Sequence, residues 1–376
     1  MTNPLRQLGE FGQSVWYDNI QRTMITSGQL KRMIDEDGLR GITSNPTIFE
    51  KAINGSNDYD PYIVSILTDH PRISTRDLFF SIAIRDIQEA ADLLTPVYRQ
   101  TNGADGMISL EVSPDLAYDT AGTIAEARRL AKRVDRPNLM IKVPATKEGL
   151  PAIEALIADG INVNVTLLFS VERYKEVVEA YILGLESRLR RGQPVAKIAS
   201  VASFFVSRVD AAVDQQIKTN SAPELSAVAS KIGIANAKLA YQTYKQLFGS
   251  PRFDVLREAG AAPQRLLWAS TGTKNPNLSD VLYLDNLIGP DTVNTVPPAT
   301  YTAFRDHGTP QASLERDVDA AHNDIAALAK AGVSLADITR QLEKEGVESF
   351  AKSFTTLLGA LENKAAQLQE KMRAKA

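Results

Sequence analysis

Cysteine is absent from this chain of 376 residues, and histidine occurs only at His70, His307 and His322. Without cysteine there is no disulfide, no thiolate zinc site and no cysteine nucleophile. None of the three histidines is paired with another at metal-ligand spacing, so no metal centre is expected. An excess of charge is missing too: 42 Lys and Arg stand against 45 Asp and Glu, a net charge of −3. That balance offers no bulk basic patch for nucleic acid or an anionic membrane. Long apolar runs are also lacking. IASVASFFV (198–206) is far too short to cross a bilayer, and MTNPLRQLGEFGQ at the start lacks the basic and apolar regions of a secretory peptide. These exclusions predict a cytoplasmic protein without nucleic-acid or membrane partners, whose chemistry rests on Lys, Asp, Glu, Ser and Thr.

What is present is an ordinary globular composition, 44% hydrophobic and 23% charged. No Pro/Gly/Ser-rich linker divides the chain, which predicts one barrel domain over 1–376, with roughly 300–376 as a helical extension packed on it. Short β-prone runs occur at 14–20, 40–45, 106–112, 138–144, 161–168, 195–205, 265–270 and 292–297. Helical periodicity lies between them. Residues 121–134 place Ile124, Ala127, Leu130, Ala131 and Val134 on one stripe, and 149–159 repeat the pattern up to Gly160. Eight strands with helical crossovers predict a closed (β/α)8 TIM barrel. A doubly wound sheet is the alternative, but no GxGxxG follows the first strand. Residues 46–105, 206–264 and 298–376 exceed single crossovers and read as extra helices, the last a long C-terminal helical segment.

A small barrel is filled by branched apolar side chains, so polar residues two apart on a strand are informative. Asp18 lies two beyond Trp16, Thr43 pairs with Asn45, Ser109 with Glu111, Asn164 with Thr166, and Lys142 shares a face with Met140. A lone strand Asn or Thr is usually a satisfied core residue, and a lone Lys usually snorkels to solvent. One lysine, two carboxylates and several hydroxyl and amide groups converging on one rim would be a costly way to fill a core.

Lys142 is the centre of that set. An ordinary amine is almost wholly protonated at neutral pH, whereas a barrel interior disfavours the ammonium. A neutral buried amine can attack a carbonyl and form a Schiff base, an electron sink that lets a neighbouring carbon-carbon bond break without metal. Asp18 and Glu111 are placed to divide the proton transfers, with Thr166 holding a water. A structural ion pair between Lys142 and either carboxylate is the alternative reading. Further along, SFFVSR (203–208) and WASTGTKNP (268–276) each end a β-run in hydroxyl residues followed by a cation. Arg208, Ser270 and Lys274 are therefore candidates for a phosphate site.

GITSNPTIFEKAI (41–53), SLEVSP (109–114), IKVPATKEGLPAIEAL (141–156), INVNVTLLFS (161–170), ASFFVSRVD (202–210) and SFAKSF (349–354) together resemble the transaldolases over nearly the whole chain. The resemblance implies an α/β barrel with a Schiff-base lysine and no cofactor. It also implies transfer of a dihydroxyacetone unit from sedoheptulose 7-phosphate to glyceraldehyde 3-phosphate, giving erythrose 4-phosphate and fructose 6-phosphate, in the non-oxidative pentose phosphate pathway. By the same resemblance Lys142 is the Schiff-base lysine and Asp18 the acid/base, while Glu111 and Thr166 hold the catalytic water. Asn45, Asn164 and Ser203 contact the sugar, Phe205 closes the pocket, and Arg208 and Ser270 contact phosphate; Thr43, on the face of Asn45, is a further candidate for substrate binding. Where many members carry an aromatic residue and Arg after the seventh strand, this chain reads Ser270, Thr271, Gly272, Thr273, Lys274. Lysine is a point charge, without the bidentate fork of arginine. Competing readings are a fructose 6-phosphate aldolase and a catalytically silent sugar-phosphate-binding barrel. Monomer and homodimer both remain open.

Overall fold

The computed structural model describes residues 3–219 and 223–374. Positions 220–222 and 375–376, which fall inside two of the expected helical stretches, lie outside the described residues. Eight parallel strands close a barrel in chain order. They are β1 (Gln13–Tyr17), β2 (Gly41–Ile42), β3 (Met107–Glu111), β4 (Leu139–Pro144), β5 (Val163–Leu168), β6 (Ser200–Phe205), β7 (Arg265–Ala269) and β8 (Thr292–Val296). The ring closes where β1 pairs β8 from Gln13↔Thr292 to Tyr17↔Val296.

Every expected strand is found, each shorter than its β-prone run, and three lose three or more residues at one end. β2 ends at Ile42 rather than Asn45, because Asn45 caps the helix Pro46–Asn54 through its side chain and Pro46 supplies a preset first helical residue. Thr43 keeps one ladder bond, its N–H donating to Tyr17 O at 3.0 Å. β1 ends at Tyr17, although the Asp18 N–H still donates to Val296 O at 3.0 Å. β6 starts at Ser200 because Ile198 N–H closes a turn onto Val195 O. The helices Thr120–Val134 and Gly149–Asp159 match the periodic stripes, the second stopped by Gly160 at φ +89°.

Alternation along the strands separates two apolar layers. Val15, Tyr17, Ile141, Val143 and Phe204 pack outward against helices. Trp16, Met107, Met140, Leu267 and Val293 fill the barrel interior. A Cβ at Gly41 would sit 2.5 Å from the Trp16 indole, so this glycine makes room for the ring. A buried ring of that size contributes on the order of 3–5 kcal/mol. Beneath it Asp105 accepts hydrogen bonds from Ser14 Oγ (2.6 Å) and Trp16 Nε1 (3.1 Å) and pairs with Arg265 at 3.2 Å. The N-terminal end of the barrel is thereby plugged, leaving polar side chains to gather at the opposite end.

The helix Leu335–Arg373 buries Phe350, Phe354, Leu357, Leu361 and Leu368 along one face. It packs on the helices Pro46–Asn54, Asp60–Asp69 and Thr75–Gln100, with Phe354 edge-on to Phe79 at 5.5 Å. No helix among the described residues is long and apolar enough to cross a membrane.

Candidate active site

Strand register brings the central residues level. Glu111 is the Cα partner of Lys142, and Lys142 that of Asn164. Lys142 is 4% exposed and Glu111 6%. The Lys142 Nζ donates to Ser44 O at 3.1 Å and lies 3.3 Å from Glu111 Oε2, an ion pair whose geometry falls short of a hydrogen bond. Burial pushes the Glu111 carboxyl above its ordinary range; Lys142 opposes the shift and the charge of Asp18 adds to it. Both Glu111 carboxylate oxygens and Thr166 Oγ1 are buried without a hydrogen-bond partner from the protein. Two acceptors and a hydroxyl of this kind are the partners that an ordered water requires.

Asp18 sits at the mouth of β1. Its Oδ1 accepts from Thr43 Oγ1 at 2.6 Å, and Thr43 Oγ1 is 2.6 Å from Thr295 Oγ1 on β8. Burial raises the Asp18 pKa, against the smaller opposing effects of Lys142, the Thr43 hydrogen bond and Arg208. The two acids thus flank one amine, and the low-dielectric setting favours their protonated forms more than water would.

A second chain of hydrogen bonds crosses the barrel at this level. Ser203 Oγ donates to Asn164 Oδ1 at 2.7 Å, and Asn164 Nδ2 donates to Ser109 Oγ at 2.9 Å. β5 then breaks register between Val165 and Leu168, and Leu167 adopts φ +59°. A branched side chain at positive φ is strained backbone, here at a bulge beside Thr166.

Above this layer opens a cavity of about 670 Å³, within the usual range for small-molecule sites. Of the residues singled out in the sequence, Lys142, Asp18, Thr43, Asn45, Thr166, Ser203, Phe205, Arg208, Ser270 and Lys274 line it. Glu111 and Asn164 do not form its wall; they contact Lys142 and Ser203, which do. Asn45 spends its amide oxygen on the Ile48 N–H as a helix cap.

The far end of the cavity is cationic. Arg208 opens the helix Ser207–Thr219 and rests 5.4 Å over the Phe205 ring. Ser270 follows β7 in left-handed backbone, φ +55°, and its Oγ lies 2.9 Å from Ser207 Oγ. Burial lowers the pKa of Lys274, helped by Arg208, and burial lowers that of Arg208 itself, opposed by Asp18 and Glu345. Neither cation has a carboxylate within 4.0 Å among the described residues. Two cations that repel each other in a polar cleft form a site for an anion.

Asn19, Gln21, Lys51, Thr295 and Phe350 also line the cavity, beyond the site residues expected from the sequence. Thr295 is two beyond Val293 on β8, so the same period-two rule that finds Asn45 would find it. Phe350 comes from the C-terminal helix and lies in the SFAKSF motif, but nothing in its spacing along the helix places it at the cavity. Among the described residues no three side chains of His, Asp or Glu are grouped to hold a metal ion.

The profile of the family Transaldolase/Fructose-6-phosphate aldolase matches residues 15–361. A transaldolase of Trichodesmium erythraeum is 47% identical over 378 aligned residues, covering 98% of this chain and 99% of that one. A transaldolase of Thermobifida fusca is 48% identical, covering 95% and 97%. A protein called transaldolase 2 from Nostoc is 46% identical, covering 96% and 97%. The match spans every barrel strand except the first two residues of β1, and on it this chain belongs to the Transaldolase/Fructose-6-phosphate aldolase family.

Proposed function

We propose that the protein is a transaldolase that moves a dihydroxyacetone unit between sugar phosphates through a Schiff base on Lys142. The observation that carries this reading is a buried amine flanked by two carboxylates with raised pKa, at the floor of a cavity whose other end holds Arg208 and Lys274. The ketose phosphate, sedoheptulose 7-phosphate or fructose 6-phosphate, lies with its phosphate at Arg208, Ser270 and Lys274 and its C2 carbonyl at Lys142. The amine adds to C2, and loss of water gives the iminium. Water handling falls to Glu111 and Thr166, whose polar atoms have no protein partner. Asp18 takes the C4 hydroxyl proton, the C3–C4 bond breaks, and its electron pair moves into the iminium to give an enamine. The aldose phosphate departs. A second aldose phosphate, glyceraldehyde 3-phosphate or erythrose 4-phosphate, is attacked by C3, takes the proton back from Asp18, and leaves as a ketose phosphate after water cleaves the imine. Ser203, held by Asn164, together with Thr43 and Asn45, contacts the hydroxyl groups of the sugar. No cofactor enters these steps.

The reaction belongs to the non-oxidative pentose phosphate pathway, on water-soluble substrates in the cytoplasm, with 1–376 acting as one barrel unit, monomer or homodimer. Acceptor dependence tests the reading. Fructose 6-phosphate alone is expected to turn over slowly, and adding erythrose 4-phosphate to produce sedoheptulose 7-phosphate at a far higher rate. Appreciable release of dihydroxyacetone without an acceptor, unchanged on adding one, would assign the chain to fructose 6-phosphate aldolase activity instead.

A charge-assisted contact is worth about 1.5–3 kcal/mol, so Lys274→Ala is expected to raise KM for phosphorylated donors roughly tenfold to a hundredfold. Turnover of unphosphorylated ketose donors should be nearly unchanged. Equal impairment of both donor classes would remove Lys274 from phosphate recognition.

A further inference from the structure

The Phe350 ring faces the reacting amine from outside the barrel. Its centroid lies 5.6 Å from Lys142 Nζ, the residue is 4% exposed, and it lines the same cavity. At that distance the ring adds little to the charge balance of the amine, which already has Glu111 at 3.3 Å. The spacing leaves room for one layer of carbon atoms in van der Waals contact with the ring, at about 3.5–4 Å.

The helix that carries Phe350 is fixed in place. Gly346 lets it close down on the barrel rim, since a Cβ there would lie 2.9 Å from Leu167 Cδ2, the residue held at φ +59° in the β5 bulge. Three residues beyond Phe350, Ser353 Oγ accepts from Thr47 Oγ1 at 2.8 Å. Further on, Lys364 Nζ donates to Ser56 O at 2.6 Å. Leu167, Phe169, Phe205, Leu342 and Val347 complete an apolar cluster around the ring.

We infer that Phe350 is the water-excluding wall that keeps the three-carbon unit on Lys142 until an acceptor arrives, and so sets the ratio of transfer to wasteful release. The inference rests on the proposed Schiff-base transfer. After the first aldose phosphate leaves, the enamine has two fates. In transfer, C3 forms a bond to the acceptor aldehyde. In release, C3 instead takes a proton from a water molecule, hydroxide or a second water adds to C2 of the iminium, and collapse of the carbinolamine frees dihydroxyacetone and the amine. The water lost in forming the imine is regained, so release consumes nothing but the donor. An apolar ring packed over the unit admits an aldose phosphate anchored at the far cations while excluding unanchored water.

The test is the partition ratio: dihydroxyacetone released per dihydroxyacetone unit transferred, measured with fructose 6-phosphate and saturating erythrose 4-phosphate. Phe350→Ala is expected to raise this ratio about tenfold, and Phe350→Leu, which restores most of the bulk, to return it toward the wild-type value. The ratio counts only active molecules, so partial unfolding does not move it. Should the alanine variant fail to fold, Phe350→Val gives the same reading with smaller packing loss. A ratio unchanged in alanine or valine variants, with rate alone reduced, would make Phe350 a structural residue only and overturn the inference. If the wild-type protein transfers nothing to erythrose 4-phosphate, the proposed function itself fails, and the two failures are told apart.

Discussion

Lys142→Ala is expected to lower dihydroxyacetone transfer by about 10⁴-fold or more, because the covalent intermediate of the proposed mechanism forms on its amine. The barrel around it should survive. Lys142 is one of a buried pair, and removing it leaves Glu111 with its carboxylate already raised in pKa by burial and able to take up a proton. The variant should therefore fold while losing its chemistry. Treatment of the wild-type protein with fructose 6-phosphate and borohydride should attach a reduced three-carbon unit to Lys142, located by peptide mapping. Label on another lysine, or wild-type activity in the alanine variant, would refute the mechanism.

Asp18→Asn is expected to separate bond cleavage from imine formation. The amide cannot take the C4 hydroxyl proton, and loss of a positioned base lowers kcat by about 10²–10⁴-fold. Imine formation at Lys142 does not need that proton transfer, so borohydride should still label the lysine, now with the uncleaved six-carbon sugar phosphate. Loss of labelling in parallel with activity would place Asp18 in imine formation and break this assignment. The pH dependence carries its own sign. Burial raises the Asp18 pKa, so its carboxylate, the form needed as base, appears only above the ordinary value of about 3.9. The acid limb of kcat/KM should lie above that value. For stability the raised folded-state pKa acts in the other direction: the native state binds the proton more tightly, so stability falls as pH rises from about 3.9 through the folded-state value. Asn removes that loss, and Tm at neutral pH should hold or rise while activity collapses.

The order of elements was legible because each rests on local chemistry. Period-two alternation finds the strands, and the apolar stripe and Gly160 find the helix Gly149–Asp159. Polar residues on the inner face of strands also locate Lys142, Asp18, Thr43, Thr166 and Ser203 at one rim, since a strand's two faces follow from its sequence alone. The same rule overextends β2, because Asn45 reads equally as a strand residue or as the cap of the following helix, and Pro46 decides for the cap. Sequence pattern also gives no depth within the rim. Glu111 and Asn164 obey the alternation, yet they stand outside the cavity lining, in contact with residues that form it.

The sequence by itself determined a closed barrel, an inward-facing lysine on its fourth strand and a pair of cations after the sixth and seventh, because these follow from periodicity and from residues too polar for a core. Only the tertiary structure decided how deep each group sits, that burial outweighs Lys142 in setting the Asp18 and Glu111 pKa values, and that Phe350 faces the amine. Those features depend on desolvation and on contacts between segments far apart in the chain, and neither leaves a periodic mark in the sequence.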